Sequence, residues 1–289
     1  MSVFEHPDFE HAEVAFIEDR KAGLNAIVAI HRRGRLGTAG GGCRMWPYRS
    51  SDDALTDALR LSRAMSYKLA LFELPAGGAK VVIPGDPKRD KSPRLLEALG
   101  RAVERYGGRL VVAEDIGITR ADLEIVARET RYVVRDGSTA EPTARGVLAC
   151  LRESLRRRLG GAELRGASVA VQGLGAVGWA LCEELAREGA RLVVADLDEE
   201  RAQRAVDRFG ARREDPHRIH AALVDAFAPC ALGVLDEQTI PELRCAVVVG
   251  SANAPLANDA CADALAARGV LFVPDFVASA GAVLAAAGL

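Results

Sequence analysis

Only five of the 38 basic residues in this chain are lysines: Lys21, Lys68, Lys80, Lys88 and Lys91. None follows position 91, and arginine carries positive charge everywhere else. Arginine stays protonated, whereas a buried lysine can lose its proton and act as a base. A lysine in a site-like context is therefore more informative in this chain than usual. Two have such a context. Lys68 ends Ser66-Tyr67-Lys68, and Lys80 ends the glycine-rich Gly77-Gly78-Ala79-Lys80. Two carboxylates, Glu114-Asp115, close the apolar run Leu110-Val111-Val112-Ala113. A lysine neutralised by burial and a second cation, with Lys68 as the candidate, can deprotonate water for attack on an electrophilic carbon. A carboxylate such as Asp115 can hold an ammonium group and shuttle its proton. Each residue also has an ordinary use. Lys68 suits a solvated helix C-terminus, Lys80 an exposed loop, and Glu114-Asp115 a turn at a strand end.

A second constellation lies further along. Gly173, Gly175 and Gly178, with Leu174, Ala176 and Val177 between them, form G-x-G-x-x-G. A strand-like run precedes it, a helical pattern follows, and Asp196 ends the next strand-like run, 23 residues beyond Gly173. In that context the motif is a dinucleotide-binding fingerprint. The first glycine permits the tight turn, the second lets the backbone approach a pyrophosphate, and the third allows close helix–strand packing. The helix N-terminus offers N–H donors to the phosphates. Asp196 can accept from the ribose hydroxyls and would repel a 2′-phosphate, which favours NAD over NADP. The alternative is a glycine turn with no ligand.

The elements that must position these residues follow from periodicity. Residues 12–32 contain two strand-like runs, and 38–45 is a glycine-rich connection. Ser50 to Asp53 reads as a helix start, with Leu55, Ala58, Leu59, Ser62 and Met65 at helical spacing and an end near Lys68. The Leu74 to Lys80 segment reads as a loop into the strand Val81-Val82-Ile83. A helix over 94–106 and a buried strand over 110–115 follow. Beyond residue 164, strands and helices alternate, with further apolar runs at 222–228, 245–250 and 271–274. This predicts an α/β protein with a parallel sheet covered on both faces. Two domains are expected, 1–138 and 139–289, the second a Rossmann dinucleotide-binding domain. The polar stretch 135–142 supplies the boundary.

Composition excludes several classes. Hydrophobic residues make up 49% of 289, enough for a sizeable core. A net charge of −2 offers no footprint for nucleic acid or an anionic membrane. No stretch approaches the ~20 apolar residues of a membrane span, and the N-terminus lacks an apolar signal core, so a cytoplasmic protein is expected. The six cysteines are never closer than 15 residues and form no C-x-x-C pair. The five histidines form no metal motif, and no bound metal is expected.

Eight motifs together resemble the Glu/Leu/Phe/Val amino-acid dehydrogenase family, most nearly its leucine and phenylalanine branches. They are GGGCRMWPY (40–48), AMSYK (64–68), GGAKVVIPGDPK (77–88), AEDIG (113–117), ETRYV (129–133), PTARGV (142–147), VQGLGAVG (171–178) and FAPCALG (227–233). The resemblance implies NAD-dependent oxidative deamination of an apolar L-amino acid to a 2-oxo acid and ammonia. It implies Lys80 as the catalytic lysine and Asp115 at the amino group and in proton transfer. Lys68, aided by the Gly41-Gly42 backbone, would bind the substrate carboxylate. Met65 and Ala113 would touch its side chain, and Asn253 would contact substrate. Thr143 and residues 173–179, ending in Trp179, would contact NAD. The first domain would bind substrate and form a homodimer or larger assembly.

The chain departs from the family pattern in places. Ala79 replaces a glycine, the loop before Pro142 is short, Ala254 rather than Asn253 could occupy the family's asparagine position, and 279–282 reads SAGA. The sequence also stops at Leu289, short of a typical member, so nothing larger than a dimer is specified. Gly40 stands where leucine-type members carry leucine, which predicts a widened pocket and a large apolar side chain. Two other readings stay open: a catalytically impaired NAD-binding homologue, and another two-domain NAD(P) reductase. Intact Lys68, Lys80 and Asp115 argue against the first, and GGGCRMWPY and AEDIG against the second.

Overall fold

The computed structural model describes residues 3–135, 139–160, 164–232 and 235–288. The chain forms two compact units, Met1–Gly137 and Ser138–Leu289. The boundary expected at 138/139 and the Gly233 end of FAPCALG touch residues outside the described set.

The first unit holds strands β1 (Glu13–Asp19), β2 (Leu24–Ile30), β3 (Ala39–Trp46), β4 (Gly77–Pro84) and β5 (Leu110–Ala113), and helices α1 (Ser51–Leu71), α2 (Pro93–Glu104) and α3 (Arg120–Val126). The sheet order is β1-β2-β4-β3-β5. β1 and β2 are antiparallel, as are β2 and β4, while β3 runs parallel to both β4 and β5. Strand alternation sends Val28, Cys43, Met45, Ala79, Val81 and Ile83 to one face, where they pack with Leu95, Leu96 and Leu99 of α2 and Leu123 and Val126 of α3. The other face receives α1, whose Ala54, Leu55, Ala58 and Leu59 pack on Ile27, Ala29 and Val82. Along β3 and β5, Gly40, Gly42, Val111 and Ala113 are half-buried while Ala39, Gly41, Leu110 and Val112 are buried. The β3–β5 side of the α1 face is thus only partly covered.

Two segments expected as connections are strands. The glycine-rich 38–45 forms most of β3, and Gly77-Gly78-Ala79-Lys80 is the first half of β4. Glycine serves close approach at this point. A Cβ on Gly78 would lie 2.1 Å from the Ser66 nitrogen of α1, and the Gly78 N–H donates to Ser66 Oγ at 3.0 Å. α1 begins as expected, with Ser50 Oγ accepting from the Asp53 N–H, but runs one turn past Lys68 to Leu71.

The second unit holds α4 (Ala140–Leu159), β6 (Ser168–Gln172), α5 (Ala176–Arg187), β7 (Arg191–Ala195), α6 (Glu199–Phe209), β8 (Arg212–Arg213), β9 (Ala226–Pro229), β10 (Val247–Val248), α7 (Ala260–Ala267), β11 (Leu271–Phe272), α8 (Asp275–Ala278) and α9 (Gly281–Ala286). All six strands are parallel, in the order β11-β10-β9-β6-β7-β8. Counted from β6, this is the doubly wound 3-2-1-4-5-6 order of dinucleotide-binding sheets, with its switch point between β6 and β9. Ligands bind such sheets at the carboxyl ends of the strands beside that switch.

Among the described residues no helix is long and apolar enough to cross a membrane, and no group of three or more His, Cys, Asp or Glu could hold a metal ion. Cys43, Cys182, Cys245 and Cys261 are buried free thiols, and Cys150 and Cys230 are half-buried ones.

Candidate active site

Lys80 sits centrally in β4, on the α1 face, and is only 5% exposed. An exposed loop lysine is therefore excluded. Its Nζ donates to Asp115 Oδ2 at 2.5 Å. Asp115 does not end β5, which stops at Ala113. It lies in the turn that follows, where its backbone N–H and carbonyl exchange hydrogen bonds with Ile118 at 3.3 and 3.0 Å. The turn carries the carboxylate back over β3 toward Lys80. Gly42 pairs with Ala113 across β3 and β5 and lies beneath this contact. A Cβ on Gly42 would stand 2.7 Å from Asp115 Cβ, 2.9 Å from the Glu114 carbonyl and 3.3 Å from Lys80 Nζ. Only glycine leaves room for the pair to meet.

A third charged group joins them, one that sequence reasoning missed. Arg44, two residues beyond Gly42 on the same face, donates from Nε to the same Asp115 Oδ2 at 2.9 Å. Its Nη1 donates to Asp57 Oδ2 of α1 at 2.9 Å, and the Tyr48 hydroxyl also donates to Asp57. In an arginine-rich chain Arg44 does not stand out by type. The available signal was its i, i+2 spacing from Gly40 and Gly42, visible only if the segment is taken as a strand.

The electrostatics follow from this geometry. Burial pushes the Asp115 carboxyl up, but Lys80 and Arg44 outweigh it and hold the group well below the usual carboxylate range. Burial pulls the Lys80 ammonium down, Asp115 opposes that, and Arg44 reinforces it. Arg44 is thus a cation acting on Lys80 that the sequence reading, which named Lys68 for that part, did not include.

The other expected residues of this unit take definite places. Gly41 is buried beside Gly42, and a Cβ there would lie 1.7 Å from the Ala79 carbonyl oxygen. The Ala79 methyl points into the opposite core with α2 and α3, away from Lys80, so this departure from glycine leaves the site unaltered. Lys68 is 7% exposed, so a solvated helix end is excluded. It recurs at helical spacing with Asp57, Leu61 and Ala64, and half-buried Met65 lies beside that stripe.

The second unit carries the glycine loop. Gly173 has φ +89°, which an L side chain rarely adopts, and a Cβ there would lie 2.5 Å from Ala231 Cβ. A Cβ on Gly178 would lie 1.9 Å from the Gly173 carbonyl, so this glycine permits α5 to pack on the turn. A Cβ on Gly175 would meet nothing within 4 Å. Gly175 is the N-cap of α5 with no side-chain cap, leaving the first-turn N–H groups to a ligand. Leu174, Gly175, Ala176 and Trp179 line a cavity of about 380 Å³ with Arg201 and Arg204. The half-buried Val177 packs on the core instead. Trp179 packs against Phe209 with ring centroids 5.1 Å apart and planes tilted by 58°. Asp196 follows β7 and accepts from the Leu174 N–H at 2.6 Å, so it also shapes the loop. Arg201 approaches Asp196 at 3.5 Å and Asp198 at 3.2 Å. These residues fit a dinucleotide: a turn only glycine can make, an uncapped helix start, and a carboxylate at the end of the second strand.

Thr143 lies in the first turns of α4, buried, its hydroxyl donating to the Thr139 carbonyl at 2.6 Å. Asn253 is half-buried beyond β10. The next residue, Ala254, has φ +47° and donates its N–H to Asp275 Oδ2 at 3.1 Å.

Comparisons with known proteins agree with both units. Residues 11–132 match the dimerisation domain of Glu/Leu/Phe/Val dehydrogenases, and 137–201 and 195–288 match the glutamate/leucine/phenylalanine/valine dehydrogenase family. A leucine dehydrogenase from Geobacillus stearothermophilus is 42% identical over 98% of this chain and 80% of its own length. A phenylalanine dehydrogenase from Thermoactinomyces intermedius is 40% identical with the same coverage. The crystal structure of L-tryptophan dehydrogenase from Nostoc punctiforme superposes with a TM-score of 0.74 at 40% identity, covering 96% of this chain and 82% of that one. With the lysine–aspartate pair in one unit and the glycine loop in the other, this chain belongs to the Glu/Leu/Phe/Val dehydrogenase family of amino-acid dehydrogenases.

Proposed function

We propose that the protein catalyses the reversible NAD-dependent oxidative deamination of a large apolar L-amino acid, with Lys80 as the base. The observation that carries this reading is the buried Lys80 Nζ, 2.5 Å from Asp115 Oδ2. Lys68, with the Gly41-Gly42 backbone, binds the substrate carboxylate. Asp115, held ionised, anchors the substrate amino group. Met65, Ala113 and Asn253 contact the rest of the substrate. The backbone of residues 173–178 holds the NAD pyrophosphate, Asp196 takes the ribose hydroxyls, and Trp179 and Thr143 complete the cofactor contacts.

Held by the 173–178 loop and Asp196, NAD would supply the acceptor for the hydride that leaves Cα. The substrate is then an iminium ion, and water must attack its carbon. Lys80 Nζ, biased toward the neutral form, takes the proton from that water as the C–O bond forms. Lys80, now protonated, returns that proton to the carbinolamine nitrogen with Asp115 assisting the transfer, and the neutral lysine then takes the hydroxyl proton as the C–N bond breaks, so ammonia leaves and the 2-oxo acid remains. The Asp115 carboxylate stabilises positive charge on nitrogen before ammonia departs.

The direct test is NADH formation at alkaline pH against a full panel of L-amino acids and several 2-hydroxy acids. Turnover of apolar amino acids is expected, and turnover confined to 2-hydroxy acids contradicts the reading. NAD is expected to exceed NADP in kcat/KM by about tenfold or more, because Asp196 meets a 2′-phosphate with like charge. Arg201 partly offsets that charge, so Arg201→Ala should widen the gap and Asp196→Ala should narrow it. Equal rates with both cofactors would refute the assignment.

Gly40 bears on the substrate side chain. It shares a face with Gly42, and a Cβ there would meet only the Val111 carbonyl, 3.8 Å away. A short substrate leaves this space unfilled, at about 1 kcal/mol or more per missing methylene. Steady-state kinetics should therefore give phenylalanine, tryptophan and leucine higher kcat/KM than valine. Gly40→Leu should shift preference toward branched aliphatic substrates. An unchanged ranking in that variant would show that Gly40 does not line the pocket.

The first unit also offers a surface for self-association. β1 is an edge strand, and its Phe16 is 62% exposed. Pairing of two such edges accounts for a homodimer or larger assembly.

A further inference from the structure

Arg44 is 2% exposed, yet no step above uses it. A guanidinium cannot shed its charge, so burying one demands compensation. For Arg44 the compensation is divided. Nε goes to Asp115 Oδ2, the same oxygen that Lys80 Nζ reaches, and Nη1 goes to Asp57 Oδ2. Nη2 is buried with no partner among the described residues. One well-placed carboxylate with a bidentate contact would satisfy a purely structural arginine better. Sharing an oxygen with the candidate base sets a permanent cation beside Lys80, which disfavours the charged form of that lysine.

We propose that Arg44 is a positioning residue of the dehydrogenation: it clamps Asp115 Oδ2 against Lys80 and holds a fixed positive charge beside that lysine, while Asp57 sets how much of the charge Lys80 feels. This rests on Lys80 being the base. Arg44 has no acceptor and takes no proton itself. Among the described residues, the charged groups acting on Lys80 include Arg44 from β3, Asp115 from the turn after β5 and Asp57 from α1, and Lys68 lies further along α1. The titratable neighbours Cys43 and Tyr48 stay neutral, because burial pushes the Cys43 thiol up to about 12 and raises the Tyr48 phenol as well.

The test is the pH profile of kcat/KM for deamination, whose rising limb reports loss of the proton from the base. Arg44→Gln removes a cation, makes protonated Lys80 easier to keep, and should move the limb upward by about one pH unit, a tenfold loss below it. Asp57→Asn removes an anion and should move the limb downward. A merely structural role lowers both profiles without shifting them in opposite directions. Limbs that do not move, or that move the same way, overturn the proposal. Should Arg44→Gln fail to fold, Asp57→Asn decides alone: a downward shift supports the proposal, and an unmoved or upward limb overturns it. Lys80→Ala separates the two possible failures. Residual activity that keeps the wild-type limb defeats Lys80 as the base. Loss of that limb, together with unshifted limbs in the other variants, defeats the role of Arg44 alone.

Discussion

Lys80→Ala is expected to lower kcat by about 10²–10⁴-fold, the usual contribution of a placed proton acceptor, while NAD binding stays essentially unchanged. The glycine loop and Asp196 belong to the second unit and are untouched by the substitution. The fold should also tolerate it. Asp115 loses one cation but retains Arg44 at 2.9 Å, so no buried carboxylate is left unpaired. Stopped-flow or steady-state rates, with NAD affinity from fluorescence titration, check both halves. A drop in kcat of less than about fivefold would contradict the assignment, because it falls below what a lost general base costs.

Asp115→Ala is expected to do more damage, since it affects stability as well as activity. Removing this carboxylate leaves Lys80 without its acceptor and Arg44 with only Asp57. Breaking a buried ion pair from one side costs about 3–5 kcal/mol, because a charge remains buried and uncompensated. Trp46 lies in β3 and the only other tryptophan is Trp179, so unfolding of the first unit can be followed by fluorescence in a Trp179→Phe background. The Trp46 transition should move to markedly lower urea in the Asp115→Ala protein. A loss below about 1 kcal/mol, the value of an exposed pair, would show that the cluster is not a buried one. The pH dependence has a definite sign. Asp115 is depressed in the folded protein, so its stabilisation is complete above the unfolded carboxylate value near 3.9 and declines as pH falls toward the folded value. Wild-type stability should therefore fall more steeply below about pH 4 than that of the variant.

The sequence by itself determined most of the second unit. A strand, a three-glycine turn, a helix, a second strand and an acid at its end lie within 29 residues, from Ser168 to Asp196. Gly173 takes a positive φ and Gly178 packs on the Gly173 carbonyl, both local requirements, so local spacing suffices to read the loop. The lysines and Asp115 were legible too, because lysine is scarce in this chain and each stands beside a distinctive segment. The glycine-rich stretches of the first unit were not legible as strands. Their composition matches that of turns, and what makes them strands is the close approach of β3, β4 and α1, contacts that no local pattern records. Whether Ala79 disturbs the site was likewise decided by strand alternation, which sends its methyl to the opposite face. The Arg44 cluster depended on tertiary structure entirely. Arg44 reaches Asp57 across 13 residues and Asp115 across 71, and Lys80 reaches Asp115 across 35. A charge network at such separations is set by which strand lies beside which and which face each side chain takes. Residue types alone show that lysines and carboxylates are present, and only the packed sheet shows that two cations share one carboxylate oxygen.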